Sequence, residues 1–363
     1  MITKEDKNAI LTTLDSPLLT DGPKLREFES IFAKFAGAKF AIGVSNATAA
    51  LHLSLKAAGI KAGDEVIIPD MTFVATAGAV LLAGATPVLV DINEELNISI
   101  ESIEKSLTAK TKAILPVHFA GKPCDMTSIQ KIARKNNLII IEDCAHAIGA
   151  KFKKKHVGTF GAAGCFSFYP TKNITTIEGG MVITNDKKIA DYIITLRNHG
   201  IMKSLKERYS YGKPWDYDVV EAGYNYRLDE IRSALGINQL KRINQLNLQR
   251  KKAFEYYNSK LSKKIGITVP KISDNQEAFH LYIIRIKKEY GYSRDEIFKR
   301  LLKHGIRSSV HYKPLHAFTV FKEKARIYDS LDHSKQAYQE IISLPFYPQI
   351  SRSQQNRVIE CLI

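Results

Sequence analysis

An α/β fold, with a mostly parallel sheet in a large N-terminal unit and a smaller α+β unit after it, follows from three features of the sequence. Short β-branched runs alternate with longer stretches of helical apolar spacing throughout the first two thirds of the chain, the pattern of parallel strands joined by helices. Several runs are apolar at consecutive positions, as at Leu138, Ile139, Ile140 and Ile141, which suits strands covered on both faces. From about residue 250 the composition becomes Lys-rich and the elements shorten. The 363 residues also suit two units at about 150 residues per domain.

Taken in order, strands are expected over residues 40–44, 65–68, 87–92, 113–117, 138–142, 165–168 and 181–184, with helices such as 47–58 and 126–135 between them. Residues 71–90 carry no charge over a length that can span a bilayer. Thr72, Thr76, Gly78, Gly84, Thr86 and Pro87 interrupt the stretch, and it divides into a helix-like and a strand-like half. It therefore reads as a buried soluble segment. A long helical pattern begins at Leu228 and continues through Ile231, Leu235, Leu240, Ile243 and Leu246. The boundary is placed within or just after it, giving units of residues 1–245 and 246–363. The runs 280–286 and 301–312 belong to the smaller unit.

The composition is that of a globular chain, 45% hydrophobic and 25% charged, with 53 basic against 37 acidic residues, a net +16. No block of five basic residues occurs; Phe152 interrupts the densest stretch, 151–156. A nucleic-acid role would rest on net charge alone, so neither nucleic acid nor membrane is expected as a partner. Cys124, Cys144, Cys165 and Cys361 form no CxxC pair, which argues against a zinc ribbon, a redox motif or an iron–sulfur cluster. Cys144 and Cys165 read as small buried hydrophobes. The charged start MITKEDKNAI lacks a signal-peptide core, and a cytoplasmic chain is expected.

Lys172 follows a strand end and Pro170 in CFSFYPTKNITTIEGG. A lysine projecting there into a cleft would lose solvation, lowering its pKa from about 10.4 and making it a competent Schiff-base former. Many lysines in this chain are simple surface groups, and Lys172 alone would not stand out. Asp143, in LIIIEDCAHAIGA, falls at a strand end, where open α/β sheets present ligand-facing residues. Its carboxylate could hold a pyridine nitrogen protonated or simply cap a helix. His146 lies over the same ligand or is a core histidine. In FAIGVSNATAALHLSL a strand runs into Ser45, Asn46, Ala47 and Thr48 before an amphipathic helix. This is a natural phosphate site and equally an ordinary N-cap.

Together these segments resemble a known family. From GPKLREFE through SNATAALHL, PDMTFVATA, DCAHAIGA, FSFYPTKNITTIEGG, RNHG and GYNYRLDEIRSALG to SLPFYP, nearly the whole chain is similar to the DegT/DnrJ-type nucleotide-sugar aminotransferases. These are fold type I enzymes dependent on pyridoxal 5'-phosphate. The resemblance implies Lys172 as the Schiff-base lysine, Asp143 on the pyridine nitrogen and His146 beside the ring near its 3-hydroxyl. Ala47, Thr48 and Ser167 would hold the phosphate, and Phe73 would stack on the ring. Asn225 would reach the phosphate from a second subunit, placing two shared sites in a homodimer. Ala47 and Ile177 stand where many relatives carry Gly.

The implied reaction takes the amino group of glutamate through pyridoxamine 5'-phosphate to a nucleotide-linked 4-keto-6-deoxy sugar. Lys24, Arg227, Arg307 and Lys313 are candidates to meet the substrate's diphosphate. His311, Tyr312 and His316 of SSVHYKPLH match a segment near the substrate in the family, or form a polar turn set by Pro314. Their spacing lacks a third ligand for a metal. A related 3-dehydratase would carry His at position 172. A 3-keto-sugar aminotransferase and a regulatory protein that binds the cofactor without turnover are the alternatives, and the intact Lys, Asp, His and Asn set disfavours the second.

Overall fold

The computed structural model describes residues 2–202, 215–328 and 330–362. Its main sheet contains β1 (Phe40–Val44), β2 (Glu65–Pro69), β3 (Thr86–Val90), β4 (Thr111–Ile114), β5 (Ile139–Asp143), β6 (Ala163–Ser167), β7 (Gly180–Thr184) and the short β8 (Arg326–Ile327). The spatial order is β1-β7-β6-β5-β4-β2-β3-β8. Every neighbouring pair is parallel except those of β7, which runs antiparallel to both β1 and β6. The expected strands are all present, with no end moved by more than three residues. One shift matters chemically: Asp143 is the last residue of β5 and pairs with Cys165.

Consecutive isoleucines in β5 work because side chains alternate between faces. Ile141 packs on one face with Leu53 and Leu55 from the helix Ala47–Ala57. Ile140 packs on the other with Ile129 and Ile132 from the helix Met126–Lys135. Each fully buried isoleucine contributes roughly 1.5–3 kcal/mol relative to exposure. Side-chain caps start both helices: Asn46 Oδ1 accepts from Ala49 N–H at 2.8 Å, and Asp125 from Thr127 and Ser128 at 3.1 and 3.2 Å. The uncharged stretch divides into the helix Val74–Leu82 and strand β3. No helix among the described residues is long and apolar enough to cross a membrane. All four cysteines are buried and free.

The long helical pattern at Leu228 is two helices, Glu230–Lys241 and Ile243–Leu261. Arg242 between them has φ −104° and ψ 0°, which ends the first helix and opens the second. The second helix joins two cores. Ile243 and Leu246 pack with Phe28, Phe32 and Phe166. Phe254, Tyr257 and Leu261 pack against a three-stranded antiparallel sheet of Ile267–Thr268, Tyr282–Ile286 and Ile341–Leu344. Between the last two strands the chain returns to the main sheet: Leu315 and Phe321 enter its core, and β8 pairs with β3.

Candidate active site

The C-terminal ends of the parallel strands converge on one region, as the topology of open α/β sheets requires. β5 delivers Asp143 and leads into His146; β6 delivers Ser167 and leads into Lys172; β1 leads into Asn46, Ala47 and Thr48. Asp143 is buried. Ala145 N–H donates to its Oδ1 at 3.0 Å and the Thr76 hydroxyl to its Oδ2 at 2.9 Å. Thr76 is held in turn by Thr72 at 2.9 Å. Burial raises the Asp143 pKa, while Ala145, Thr76 and the positive Lys172 oppose the rise.

Burial acts on Lys172 in the opposite sense, bringing its pKa down to about 8, with the charge of Asp143 resisting. An ammonium and a carboxylate each lose hydration in the same place, and each limits the other's shift. His146 is buried and held well below its ordinary pKa by desolvation, with Lys172 adding to the effect, so it is neutral. Its Nε2 lies 3.1 Å from the Tyr312 hydroxyl, and its buried Nδ1 has no partner. Phe73 is exposed with its ring 5.8 Å from that of Tyr312. His311, brought down to about 4 by burial, shares a hydrogen bond with Ser343 Oγ at 2.8 Å. His316 is engaged by Asp70 at the end of β2: its N–H donates to Oδ1 at 2.9 Å, and Nδ1 meets Oδ2 at 2.7 Å. The HYKPLH segment is therefore docked onto the strand ends by one carboxylate.

Three residues that local sequence did not single out brace the lysine. Asn173, next to Lys172, donates from Nδ2 to Asn247 Oδ1 at 2.7 Å and to Ala278 O at 2.6 Å. Its Oδ1 must then accept from His280 Nδ1 at 2.9 Å, which fixes the tautomer of that histidine. The His280 ring lies 4.5 Å from the His146 ring. Glu230, which local sequence also did not single out, serves elsewhere: buried, it accepts from the N–H groups of Gly22, Lys24 and Leu25 at 3.0, 2.7 and 2.9 Å, anchoring the GPKLREFE segment to the GYNYRLDE segment.

Thr48 sits in the first turn of the helix Ala47–Ala57, and buried Ser167 closes β6. β7 approaches this turn closely: a Cβ on Gly180 would lie 2.5 Å from Asn46 O and 2.9 Å from Ala47 N, so only glycine fits. Ile177 has φ +71°, a left-handed conformation that β-branched residues adopt at a cost. The departure from Gly at this position therefore has a visible backbone consequence.

Other expected residues lie apart from these contacts. Asn225 is exposed; its main chain bridges to Asn198, and the next residue's carbonyl accepts from Ser45 N–H at 2.8 Å. Arg227 donates to Asn198 Oδ1 at 2.7 Å. Lys24 pairs with Glu27 at 2.9 Å, Lys313 lies over the Phe318 ring at 4.7 Å, and Arg307 is exposed. Among the described residues no recorded hydrogen bond or ion pair joins these five to Lys172, Asp143 or His146.

Comparison with known proteins gives a consistent picture. The family model described as the DegT/DnrJ/EryC1/StrS aminotransferase family matches residues 1–363. The chain is 38% identical to the spore coat polysaccharide biosynthesis protein SpsC of Bacillus subtilis, covering 100% of this chain and 94% of that protein. Helicobacter pylori PseC, an aminotransferase involved in pseudoaminic acid biosynthesis, superposes with a TM-score of 0.92 at 32% identity, covering 100% of this chain and 96% of the other. Streptococcus pneumoniae Spr1654 in its PLP form gives 0.91 at 30% identity, over 100% and 96% of the two chains.

Proposed function

The chain belongs to the DegT/DnrJ/EryC1/StrS aminotransferase family and is a pyridoxal-phosphate-dependent sugar aminotransferase; from that premise we propose that it moves the amino group of glutamate onto a nucleotide-linked 4-keto-6-deoxy sugar. The product would be a 4-amino sugar for a surface polysaccharide or a related glycan. The observation that carries the chemical part of this reading is the meeting of Lys172 and Asp143 in one buried site.

The residues present suit the cofactor. Asp143 is a buried carboxylate whose raised pKa a protonated ring nitrogen would relieve. His146 Nδ1 is a buried polar atom with no partner, the kind of group a ligand satisfies. The first turn of the helix at Ala47 and Thr48, with Ser167 beside it, offers N–H and hydroxyl donors for a phosphate. Bound pyridoxal phosphate supplies an electron sink for charge developing at the donor's α-carbon.

Lys172 is the group that moves protons in this reading. With a pKa of about 8 a minor but usable fraction of its amine is neutral near physiological pH, far more than for an ordinary lysine, and each unit of lowering corresponds to about 1.4 kcal/mol. Asp143 stays ionised and orients the ring nitrogen. His146, neutral, is held by Tyr312 against one edge of the site. Phe73 covers the ring, and Asn173 with His280 keeps the lysine's main chain in place. His311, Tyr312 and His316 face the sugar, with Lys24, Arg227, Arg307 and Lys313 available to the diphosphate. Asn225 completes the phosphate site of a second copy in a two-fold dimer, the commonest closed symmetry.

Incubating the protein with glutamate and a panel of keto-sugar nucleotides tests the reading, with amino-sugar formation followed by mass spectrometry. Amination at C4 of a 4-keto-6-deoxy sugar is expected. Acceptance of 3-keto sugars alone would move the position to C3, and no amination of any keto sugar would defeat the assignment.

A further inference from the structure

Tyr312 lies in the middle of a segment that is fastened on both sides. Before it, Ser309 and Ser343 exchange main-chain hydrogen bonds at 3.1 and 2.7 Å, and His311 Nδ1 meets Ser343 Oγ at 2.8 Å. After it, the buried carboxylate of Asp70 holds the main-chain N–H and Nδ1 of His316, and the Asp70 carbonyl accepts from Leu315 N–H at 2.8 Å. Ser343 belongs to the small antiparallel sheet, and Asp70 directly follows β2 of the main sheet. The segment therefore crosses from one sheet to the other, and its Tyr312 ring packs 5.8 and 5.9 Å from those of Phe73 and Phe119. Neither end can shift without breaking several hydrogen bonds.

Among the described residues the Tyr312 hydroxyl has one recorded partner, His146 Nε2 at 3.1 Å. The proton in that bond can sit on either atom, and the two arrangements leave different groups unsatisfied. If Nε2 donates, the Tyr312 proton has no acceptor, and the buried Nδ1 of His146 is a lone pair with no donor. If Tyr312 donates, the one group left over is an N–H at Nδ1. Each unpaired buried polar group costs free energy, so the arrangement with one orphan is favoured over that with two. Burial and the charge of Asp143 both keep the Tyr312 hydroxyl protonated, so it has a proton to give. An N–H at Nδ1 attracts an anionic oxygen, whereas a lone pair repels it. We propose that Tyr312 is a positioning residue that donates to His146 Nε2, fixes the His146 proton on Nδ1, and so makes the ring a hydrogen-bond donor for an anionic oxygen of the bound cofactor, with Asp70 holding Tyr312 in place. The inference rests on the aminotransferase reading above and commits the Tyr312 hydroxyl to His146, while the ring still borders the sugar.

Nitrogen NMR of histidine-labelled protein reads the proton position directly, because protonated and bare ring nitrogens differ widely in shift. The signal is assigned by its loss in His146→Gln. In the unaltered, cofactor-free protein the proton should be on Nδ1. A proton on Nε2 would overturn the proposal, and this measurement needs no altered Tyr312 or Asp70 to fold. Tyr312→Phe should convert the single form into a mixture of tautomers, and an unchanged Nδ1–H signal would show that Tyr312 does not set it. Asp70→Ala should move the signal in the same direction. Asp91 is the control, since it clamps a different histidine: it accepts from the N–H groups of His333 and Ser334 at 2.9 and 2.8 Å and meets His333 Nδ1 at 3.1 Å. Asp91→Ala should leave the His146 signal where it was; an equal change in both variants would mark Asp70 as structural only and remove it from the proposal. In binding titrations Tyr312→Phe should weaken pyridoxal phosphate about 2- to 10-fold, the range for one neutral hydrogen bond. Unaltered affinity despite mixed tautomers would overturn the donor role. Failure of borohydride to fix pyridoxal phosphate on Lys172 in the unaltered protein would sink the aminotransferase reading itself, and the tautomer result would stand apart from it.

Discussion

The buried wall of the site and the loop beside it are held in different ways. Asp143, His146 and Lys172 are shielded from water and tied within their own chain, Asp143 by Thr76 and Ala145, and Lys172 through Asn173, Asn247 and His280. Asn225 stands exposed on a loop fixed by its main chain, through Asn198 and the Tyr226 carbonyl. Burial gives the first region its chemistry by bringing the lysine down to about 8. Exposure leaves the second an ordinary amide. Groups that react need desolvation from their own fold, whereas a group that only binds can wait for a partner.

The sharpest way to break this contrast is at the lysine. Lys172→Ala should reduce turnover by about four orders of magnitude or more and abolish borohydride labelling with pyridoxal phosphate. Labelling of another lysine would show that burial singled out the wrong amine. In the cofactor-free wild-type protein, pH-dependent acylation followed by peptide mapping should place the Lys172 midpoint near 8, against about 10.4 for exposed lysines. The sign follows from burial: desolvation disfavours the ammonium, so the reactive neutral amine appears at lower pH.

A smaller loss is expected one residue away in function. Asp143→Asn should keep the cofactor bound and slow the half-reaction with glutamate by about 10²- to 10³-fold, because a neutral amide no longer holds the ring nitrogen protonated. A near-normal rate in stopped-flow absorbance would remove Asp143 from that role.

The exposed loop is probed by mixing two inactive proteins. If Asn225 serves the partner's site, a random mixture of an Asn225→Ala and a Lys172→Ala protein should recover up to about a quarter of wild-type activity, since half the dimers then hold one intact site. No recovery, despite mixed dimers seen by native mass spectrometry, would place Asn225 in its own chain's site and dissolve the contrast drawn here.

The smallest effect concerns the backbone between the two regions. Ile177→Gly should stabilise the protein by about 0.5–1 kcal/mol in urea unfolding, since glycine accepts the left-handed φ of +71°. Ile177 is exposed, so little packing is lost. A destabilised variant would mean that the side chain makes a contact worth more than the strain.

Several of these features could be read from adjacent letters. Strand ends within a few residues, the cap at Asn46, and the placing of Asp143 and Lys172 just beyond apolar runs all follow from period and neighbour chemistry. The break at Arg242 was not legible, because the apolar positions from Leu228 to Leu246 read as one helix. Departures at Ile177 and Ala47 were legible as letters but not as conformations. The φ of +71° at Ile177 gives the first a physical meaning.

The braces were not legible. Asn173 and His280 are 107 positions apart, Asp70 and His316 are 246, and Gly22 and Glu230 are 208. Nothing in the letters around His280 distinguishes it from a histidine at the edge of a strand. Periodicity, capping and turn chemistry depend on residues within a turn or two of one another, so they are written locally and survive without the rest of the molecule. A pKa, a tautomer or an unpaired charge depends on how much water has been removed and on what faces the group across the site. Both are sums over segments distant in the chain, and they acquire values only when those segments pack together.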